Sequence, residues 1–330
     1  MILGAMLADI GILVISARRG EFEDGWEGSN APTKQHLALA RALGVQRLVV
    51  VVNKMDEATV QWQEERFRTI EQTLRPKLKL LGFNDPCLSF VPVSGFTGAN
   101  IKDHIGSNVC HWYNGPSLLE VLDALPAVAR DLNAPLRVPV MDRYREQGLH
   151  VVGKVETGAV NLNDNLVLMP GKVPVQVVKI LSDAANKARA ISGDQVCVMV
   201  KSNQLTEEQL YPGQVLCPIA SPVPVHNEFV AKLFVLSDVF TNNLHAKLHC
   251  NVSTVECVVA VIMARIDPKT DEVLEKVPSI VKKHSVIFVH IKTAKQICIE
   301  TFANTPQLGR VLLRNQGKFA YCGNLNNFLR

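Results

Sequence analysis

The fold of this chain is decided by the stretch LVVVVNKMD at residues 48–56. Its first five residues form an uninterrupted apolar run rich in Val, which is typical of a strand buried on both faces. The four that follow are mostly polar and begin a turn. A buried strand that ends in polar residues places them at the carboxyl edge of a parallel sheet, where α/β folds bind their ligands.

Strand and helix patterns alternate on both sides of this stretch. The apolar run at 10–15 and the short run Phe90 to Val93 predict two further strands. Helical spacing of apolar residues predicts a helix over 33–43, closed by Gly44, and a second helix that presents one apolar face. That face consists of Phe67, Ile70, Leu74 and Leu78. The order of elements predicts a parallel sheet covered on both faces.

The rest of the chain has a different pattern of apolar and turn-forming residues. Ser117 and Glu120 form a capping-box pair that predicts a last helix ending at Pro126. From Leu136 onward, short Val-rich runs separated by turn signals are typical of a β-barrel, and the break at 221–224 precedes a second such segment. The expected fold class is therefore α/β plus all-β, with a doubly wound domain followed by two β-barrels. The expected domains are residues 1–130, 134–220 and 224–330.

Composition excludes several classes of protein. The 330 residues are 47% hydrophobic and 20% charged with a net charge of +4, which argues against wholesale disorder and does not demand a nucleic-acid partner. Eight cysteines without a Cys-x-x-Cys pair or a secretory signal predict reduced thiols in the cytoplasm. No apolar run reaches membrane-spanning length, so no membrane partner is expected. Cys250, Cys257, His245 and His249 match no common zinc spacing, so we predict no metal ligands.

The turn after the central strand has the chemistry of a guanine site. The Asp56 carboxylate can accept hydrogen bonds from both the ring N–H and the exocyclic amine of guanine, while Asn53 and the stem of Lys54 steady the base and the loop. Adenine lacks both donors and would leave the carboxylate poorly paired, at a cost of roughly 1–3 kcal/mol. The alternative interpretation is a solvated polar turn.

A second loop favours guanine binding. The residues Ser94-Gly95-Phe96-Thr97-Gly98-Ala99-Asn100 follow the next predicted strand and leave the sheet at the same edge. Ser94 can brace this loop while backbone N–H groups near Gly95 and Phe96 reach the guanine oxygen. The sequence contains no Gly-x-x-x-x-Gly-Lys-Ser/Thr loop for phosphates. We therefore expect this chain alone to bind nucleotide weakly and hydrolyse it negligibly.

The motifs resemble those of the translational GTPases, and among them most closely the eukaryotic class II release factor type (release factor three). The segment 8–23 resembles the stretch after the family's second switch, and the segments at 112–116, 136–144 and 153–158 resemble the entry into its first barrel. The resemblance implies a partial GTPase domain whose amino-terminal half is missing, so that apolar surface at 10–15 is uncovered. It also implies GTP and Mg2+ as cofactors. It places the catalytic histidine before Met1, so we name no catalytic residue.

The last barrel carries a segment that resembles the family's partner-binding signature. By this resemblance the partner-binding candidates are Gly309, Arg310, Leu312, Arg314, Gly317 and Lys318. The family usually has Phe at the position of Val311 and Asp at the position of Asn315. The alternative is an ordinary barrel strand with a turn at 315–317.

The resemblance implies a function in translation termination. A GTPase of this type binds the class I release factor that reads stop codons, acts on the ribosome, and couples GTP hydrolysis to peptide release. Two alternatives stay open: a non-catalytic adaptor that keeps the barrels, and an elongation or ribosome-rescue GTPase of the same fold. The residues at 300–318 are expected to decide which partner is bound: a class I release factor, a rescue factor or charged tRNA.

Overall fold

A computed structural model describes residues 4, 8–26, 32–126, 128, 130–182, 185–235, 239–267, 270, 272–283, 285–315 and 318–328. The chain divides into two compact units, Met1–Val128 and Ala129–Arg330. The first unit contains a parallel sheet with helices, and the second consists mainly of antiparallel strands. The predicted fold class is confirmed. Among the described residues, no helix has the length and apolar character needed to cross a membrane.

The parallel sheet of the first unit is built around the stretch that opened the analysis. Its strands lie in the order β1 (Ile10–Ser16), β2 (Arg47–Asn53) and β3 (Leu88–Pro92). Leu48, Val50 and Val52 pack in one apolar cluster, and Val49 and Val51 pack in another on the opposite face. The uninterrupted apolar run is explained because β2 is the middle strand and is buried on both faces.

Helices cover the sheet. They are α1 (Glu21–Trp26), α2 (Pro32–Leu43), α3 (Glu64–Leu80) and α4 (Leu118–Asp123), with a short 3-10 turn at Asp85–Cys87. The apolar face predicted for α3 is buried as expected. The capping box at Ser117 and Glu120 is also present. The predicted end of α4 at Pro126 is wrong, because the helix stops at Asp123; a proline disfavours helical geometry in the residue before it.

One face of β1 is not covered. The side chains of Ile12 and Val14 are 50% and 60% exposed, whereas Ile15 packs in the core. This agrees with the expectation of uncovered apolar surface at 10–15. The sheet was predicted to be covered on both faces, and that prediction holds for β2 and β3 but not for β1.

The second unit contains two β-barrels. Strands of the first are β4 (Val138–Arg145), β5 (Leu149–Lys154), β6 (Ala159–Asn161), β7 (Asn165–Met169), β8 (Val173–Ser182), β9 (Ala185–Lys187), β10 (Arg189–Ile191), β11 (Gln195–Lys201) and β12 (Val215–Pro218). A 3-10 turn lies at Glu207–Gln209. The hydrogen-bonded ring β11-β5-β4-β12-β7-β8 is closed by pairing of β8 with β11.

The second barrel closes in the same way. Its strands are β13 (Val225–Val235), β14 (Val239–Thr241), β15 (Leu244–Cys250), β16 (Ser253–Ile266), β17 (Val273–Lys276), β18 (Ile280–Lys282), β19 (Val286–Cys298), β20 (Arg310–Asn315) and β21 (Lys318–Phe328). A short helix α5 (Pro306–Gly309) precedes β20. The ring β15-β20-β21-β13-β19-β16 closes by pairing of β15 with β16. The domain limits 134–220 and 224–330 stay predictions.

A buried ion pair joins the two barrels. Nε and Nη2 of Arg137 donate to Oε1 of Glu300 at 2.9 and 2.7 Å, and both side chains are less than 10% exposed. Nη1 of Arg137 donates to the carbonyl oxygens of Leu136 and Ser221, each at 3.0 Å. The second oxygen of Glu300 accepts from the hydroxyl of Thr305. Every charged group is therefore hydrogen-bonded, which is the condition under which a buried pair is tolerated.

Replacing one partner of this pair should be costly. We expect Arg137→Ala to lower the free energy of unfolding of the barrels by about 3–5 kcal/mol, because Glu300 would remain buried without a counter-charge. Hydrogen exchange followed by mass spectrometry measures this on peptides from β7, β12 and β19.

The matched control is the exposed pair Lys79–Asp85 on the first unit. Lys79→Ala should change stability by less than about 1 kcal/mol, since exposed pairs contribute little. The double variant Arg137→Met/Glu300→Leu should cost less than Arg137→Ala alone. Equal protection of the barrels in Arg137→Ala and in the unmodified chain would contradict the role given to the pair.

Candidate guanine-binding site

The sheet register brings the predicted site loops together. Ser16 pairs with Asn53 across β1 and β2, and Val52 pairs with Pro92 across β2 and β3. Because the strands are parallel, the loops that follow all three leave at one edge. The sequence motifs at 53–56 and 94–100 therefore lie side by side.

Asn53 links the two motif loops through a single oxygen. Its Oδ1 accepts a hydrogen bond from the N–H of Lys54 at 2.7 Å and another from the N–H of Gly95 at 2.8 Å. A Cβ on residue 95 would lie 3.3 Å from this same oxygen, so glycine allows the close approach. Lys54 adopts a φ of 64°, which turns the chain sharply after β2. The predicted steadying role of Asn53 thus has a defined geometry.

Buried residues hold the two loops from below. Met55 is fully buried, and its N–H donates to the carbonyl of Val93 at 3.2 Å. Oγ of the buried Ser94 accepts from the N–H of Thr97 at 3.1 Å, as the bracing prediction requires. Asn100, which sequence reasoning did not assign, donates from Nδ2 to the carbonyl of Pro92 at 2.8 Å. It closes the base of the second loop.

These loops border a pocket of about 350 Å³. The lining residues are Asn53, Lys54, Asp56, Glu57 and Phe96. Within residues 32–126, no hydrogen bond or ion pair engages the carboxylate of Asp56, and the ring of Phe96 is 94% exposed. A flat base can stack on this ring, and its donors can reach the free carboxylate.

The backbone N–H groups near Gly95 and Phe96, predicted to reach the guanine oxygen, differ in their contacts. The N–H of Gly95 donates to Asn53. In the described part of this loop, the N–H of Phe96 has no such partner.

Lys54 has a partner that sequence reasoning missed. Its Nζ lies 2.6 Å from Oε2 of Glu21, at the start of α1. This hydrogen bond is the main cause that lowers the pKa of Glu21 from 4.5 to about 2. The contact ties the amino end of Lys54 to the loop after β1, which leaves its methylene stem along the pocket. No local signal connects the two residues, which are 33 positions apart.

Arg66 anchors the loop after β1. This buried side chain donates from Nε to the carbonyl of Ala17 at 2.7 Å and from Nη1 to Oε1 of Glu23 at 2.8 Å. The same contact lowers the pKa of Glu23 to about 2. The helix α3 thus positions α1, which carries Glu21.

The partner-binding candidates on the last barrel differ in accessibility. Gly309 and Leu312 are buried, so they offer no side chain to a partner, and a Cβ at 309 would meet the backbone of Phe302 at 2.5 Å. Arg310 lies over the Phe302 ring at 5.3 Å. Arg314 is exposed. Gly317 and the side chain of Lys318 lie outside the described residues.

The four His and Cys residues considered above lie on β15 and β16. Among the described residues, no group of three or more His, Cys, Asp or Glu side chains is arranged to hold a metal ion. Burial raises the pKa of Cys250 and of Cys257 to about 12. Both thiols therefore stay protonated at neutral pH.

Known proteins match this arrangement over most of the chain. Residues 1–130 match the family model described as the elongation factor Tu GTP binding domain, and residues 228–325 match the GTP-eEF1A C-terminal domain-like model. The crystal structure of Sup35 complexed with GDP is 36% identical, with a TM-score of 0.58, and the alignment covers 100% of this chain and 81% of that one. The chain belongs to the translational GTPase family.

Curated relatives in this family are longer. The eukaryotic peptide chain release factor GTP-binding subunit of Candida maltosa is 38% identical over 332 residues, which cover 100% of this chain and 46% of that protein. The chain thus spans about half the length of the curated relatives it matches. The GTPase-like domain of Ski7 from S. cerevisiae, bound to GTP, shares the fold at 14% identity, with a TM-score of 0.73 over 96% of this chain and 73% of that one.

The Glu21–Lys54 contact predicts an acid titration. A lowered pKa means that the contact is fully present above about pH 4.5 and is lost as the pH falls towards about 2. The side-chain carboxyl ¹³C shift of Glu21 should therefore titrate near pH 2. Lys54→Met should move the midpoint up towards 4.5, because the main hydrogen bond is removed.

The control is Arg66→Met, which should raise the pKa of Glu23 and leave that of Glu21 lower than 4.5. A Glu21 midpoint that is the same with and without the Lys54 amine would contradict the assigned contact.

Proposed function

We propose that this chain provides the guanine-recognising part and the barrels of a GTPase that acts in translation termination. The observation that carries the proposal is the free carboxylate of Asp56 in a pocket whose walls are fixed by Asn53. The release-factor names of its relatives support the cellular role.

The geometry suits guanine more than adenine. The Asp56 carboxylate accepts from the ring N–H and the exocyclic amine, the Phe96 ring and the Lys54 stem border the base, and the N–H of Phe96 is available to the guanine oxygen. An adenine would bury the charge of Asp56 without donors, which costs about 1–3 kcal/mol. Ser94 and Gly95 act indirectly, by holding the second loop and its link to Asn53.

The phosphates and Mg2+ are a separate question. The family matched by residues 1–130 binds GTP, and Mg2+ in such proteins neutralises the charge of the phosphates. The residues that the structure describes contain no cluster suited to the metal, so no step is assigned to it and no residue is proposed as catalytic. The role of this chain in hydrolysis is to hold and select the nucleotide base.

The barrels carry the proposed partner surface. A class I release factor would bind at the strand β20, where Arg314 offers an exposed charge and Arg310 is held over Phe302. Gly309 and Leu312 would shape this strand from inside, and Gly317 and Lys318 extend the candidate surface along the sequence. Ribosome binding in the cytoplasm follows from the proposed role in termination, as does coupling of GTP hydrolysis to peptide release.

Nucleotide titration tests the base site. Wild-type chain should bind a fluorescent guanosine nucleotide more tightly than the adenosine analogue by roughly 5- to 150-fold, the equivalent of about 1–3 kcal/mol. Asp56→Asn should reverse the preference between guanosine and xanthosine nucleotides, because xanthine carries a carbonyl oxygen where guanine carries the amine. Fluorescence anisotropy gives the dissociation constants.

The matched control is Glu57→Gln, which neutralises another carboxylate of the same pocket. It should keep the guanine preference. Equal binding of guanine and adenine by the unmodified chain, or an Asp56→Asn variant with unchanged base preference, would refute the proposed site.

Pull-down with a purified class I release factor tests the partner surface. Arg314→Glu should weaken binding about tenfold or more, because arginines at the centre of interfaces often contribute above 1.4 kcal/mol. Lys282→Glu, an exposed charge reversal on the same barrel, is the control and should bind as the unmodified chain does. Capture of charged tRNA without capture of the release factor would instead favour an elongation or rescue role.

A further inference from the structure

The outer face of the first barrel carries a cluster of one thiol, one imidazole and one phenol. Val196, Val198 and Val200 of β11 point into the core, so the alternation of the strand turns Cys197 outwards. Tyr144 of β4 pairs directly with His150 of β5. The three side chains come from three neighbouring strands and meet on one face.

The contacts within this cluster are close. The hydroxyl of Tyr144 lies 3.1 Å from Sγ of Cys197, and Nδ1 of His150 lies 3.4 Å from the same sulfur. The rings of Tyr144 and His150 are stacked, with centroids 4.6 Å apart and an interplanar angle of 3°. His150 is 6% exposed, Tyr144 is 39% exposed and Cys197 is partly buried. Cys197 thus lies at a partly exposed position beside a fixed imidazole.

A backbone carbonyl determines the tautomer of His150, and therefore which ring nitrogen can accept the proton of the thiol. Nε2 of His150 lies 3.0 Å from the carbonyl oxygen of Glu146, and a carbonyl oxygen can only accept. Nε2 therefore carries the hydrogen, and the unprotonated Nδ1 points at Sγ of Cys197. The thiol donates to an imidazole that is ready to take its proton, which is the arrangement that activates cysteine nucleophiles.

Tyr144 completes the arrangement as a donor. Its contact with Cys197 raises the pKa of Tyr144 to about 12, so the hydroxyl keeps its proton at neutral pH and can donate to a thiolate. The charged residues at alternating positions on this face are Asp142 of β4, Lys154 of β5, Lys179 of β8 and Lys201 of β11, and Glu146 lies in the turn between β4 and β5. These groups are two acids and three lysines.

Other cysteines in the described residues differ from Cys197. Burial raises the pKa of Cys250, Cys257 and Cys298 to about 12 and also raises that of Cys110 and Cys217. Cys87 is partly buried, as Cys197 is, but its side chain has no hydrogen-bond partner within residues 32–126. Cys87 is thus a natural internal control.

We propose that Cys197 is a site of reversible mixed-disulfide formation with low-molecular-weight disulfides of the glutathione type. The thiol proton passes to Nδ1 of His150, and the thiolate attacks one sulfur of the disulfide. A new sulfur–sulfur bond forms to Cys197 as the old one breaks, and the released thiolate takes the proton from His150. One disulfide is consumed and one thiol is released, so atoms and electrons balance.

The test is incubation of the full chain with glutathione disulfide between pH 6 and 9, followed by an acid quench and peptide mass spectrometry. At pH 7 the adduct on Cys197 should form at least about tenfold faster than the adduct on Cys87. His150→Gln should bring the two rates within about twofold and alter the pH dependence of the rate at Cys197, because the proton acceptor is removed. Tyr144→Phe, which keeps the ring stacking, should slow the reaction less than His150→Gln.

The buried thiols report on folding in the same experiment. Adducts on Cys250 or Cys257 would mark a variant that has unfolded, in which case the Tyr144→Phe rate and the wild-type ratio of Cys197 to Cys87 decide the question. Equal rates at Cys197 and Cys87 in the unmodified chain would overturn the proposal. So would a folded His150→Gln variant with an unchanged rate and pH profile.

Discussion

One carboxamide oxygen sets the geometry of the guanine pocket. Oδ1 of Asn53 accepts N–H groups from Lys54 and from Gly95, so it fixes the distance between the loops that follow β2 and β3. The other residues that line the pocket lie on these two loops, so this oxygen fixes their separation. The left-handed backbone of Lys54 directs the chain back over the sheet, and Asp56 and Phe96 border the pocket from opposite loops. The parallel register makes the link possible, since it delivers both loops to one edge.

The pocket is supported by a second layer of ionic contacts. Lys54 reaches Glu21, and Arg66 holds the loop that carries Glu21 through two carbonyl oxygens and Glu23. Together with the bond from Gly95 to Asn53, these contacts connect the loops after β1, β2 and β3 through side chains as well as through the sheet. Preorganisation of this kind limits the conformational entropy that a ligand must remove when it binds.

The sequence predicted the parts of this arrangement that depend on local pattern. The strand β2, the helix α3 and the capping box of α4 each follow from spacing or from two residues three apart, and all were found. The loop residues at the strand ends were predicted because strand direction fixes where they emerge. Contacts between distant side chains were not predictable: the pairs Lys54–Glu21 and Arg137–Glu300 have no local signature. The hydrogen bond from the N–H of Gly95 to Asn53 was unpredictable for the same reason, since the two residues lie 42 positions apart.

The pair Arg137–Glu300 also has a consequence for synthesis of the chain. The two residues are 163 positions apart, so at about 5–20 residues per second Arg137 is made roughly 8–33 s before Glu300. During that interval the arginine that the finished protein buries has no carboxylate partner and must stay hydrated at the surface of the nascent first barrel. Val215 and Cys217 are likewise without their apolar partners Cys298 and Leu308 until those residues have been made. The joint between the barrels is therefore completed late in translation, and a pause before residue 300 would prolong exposure of the nascent first barrel to chaperones.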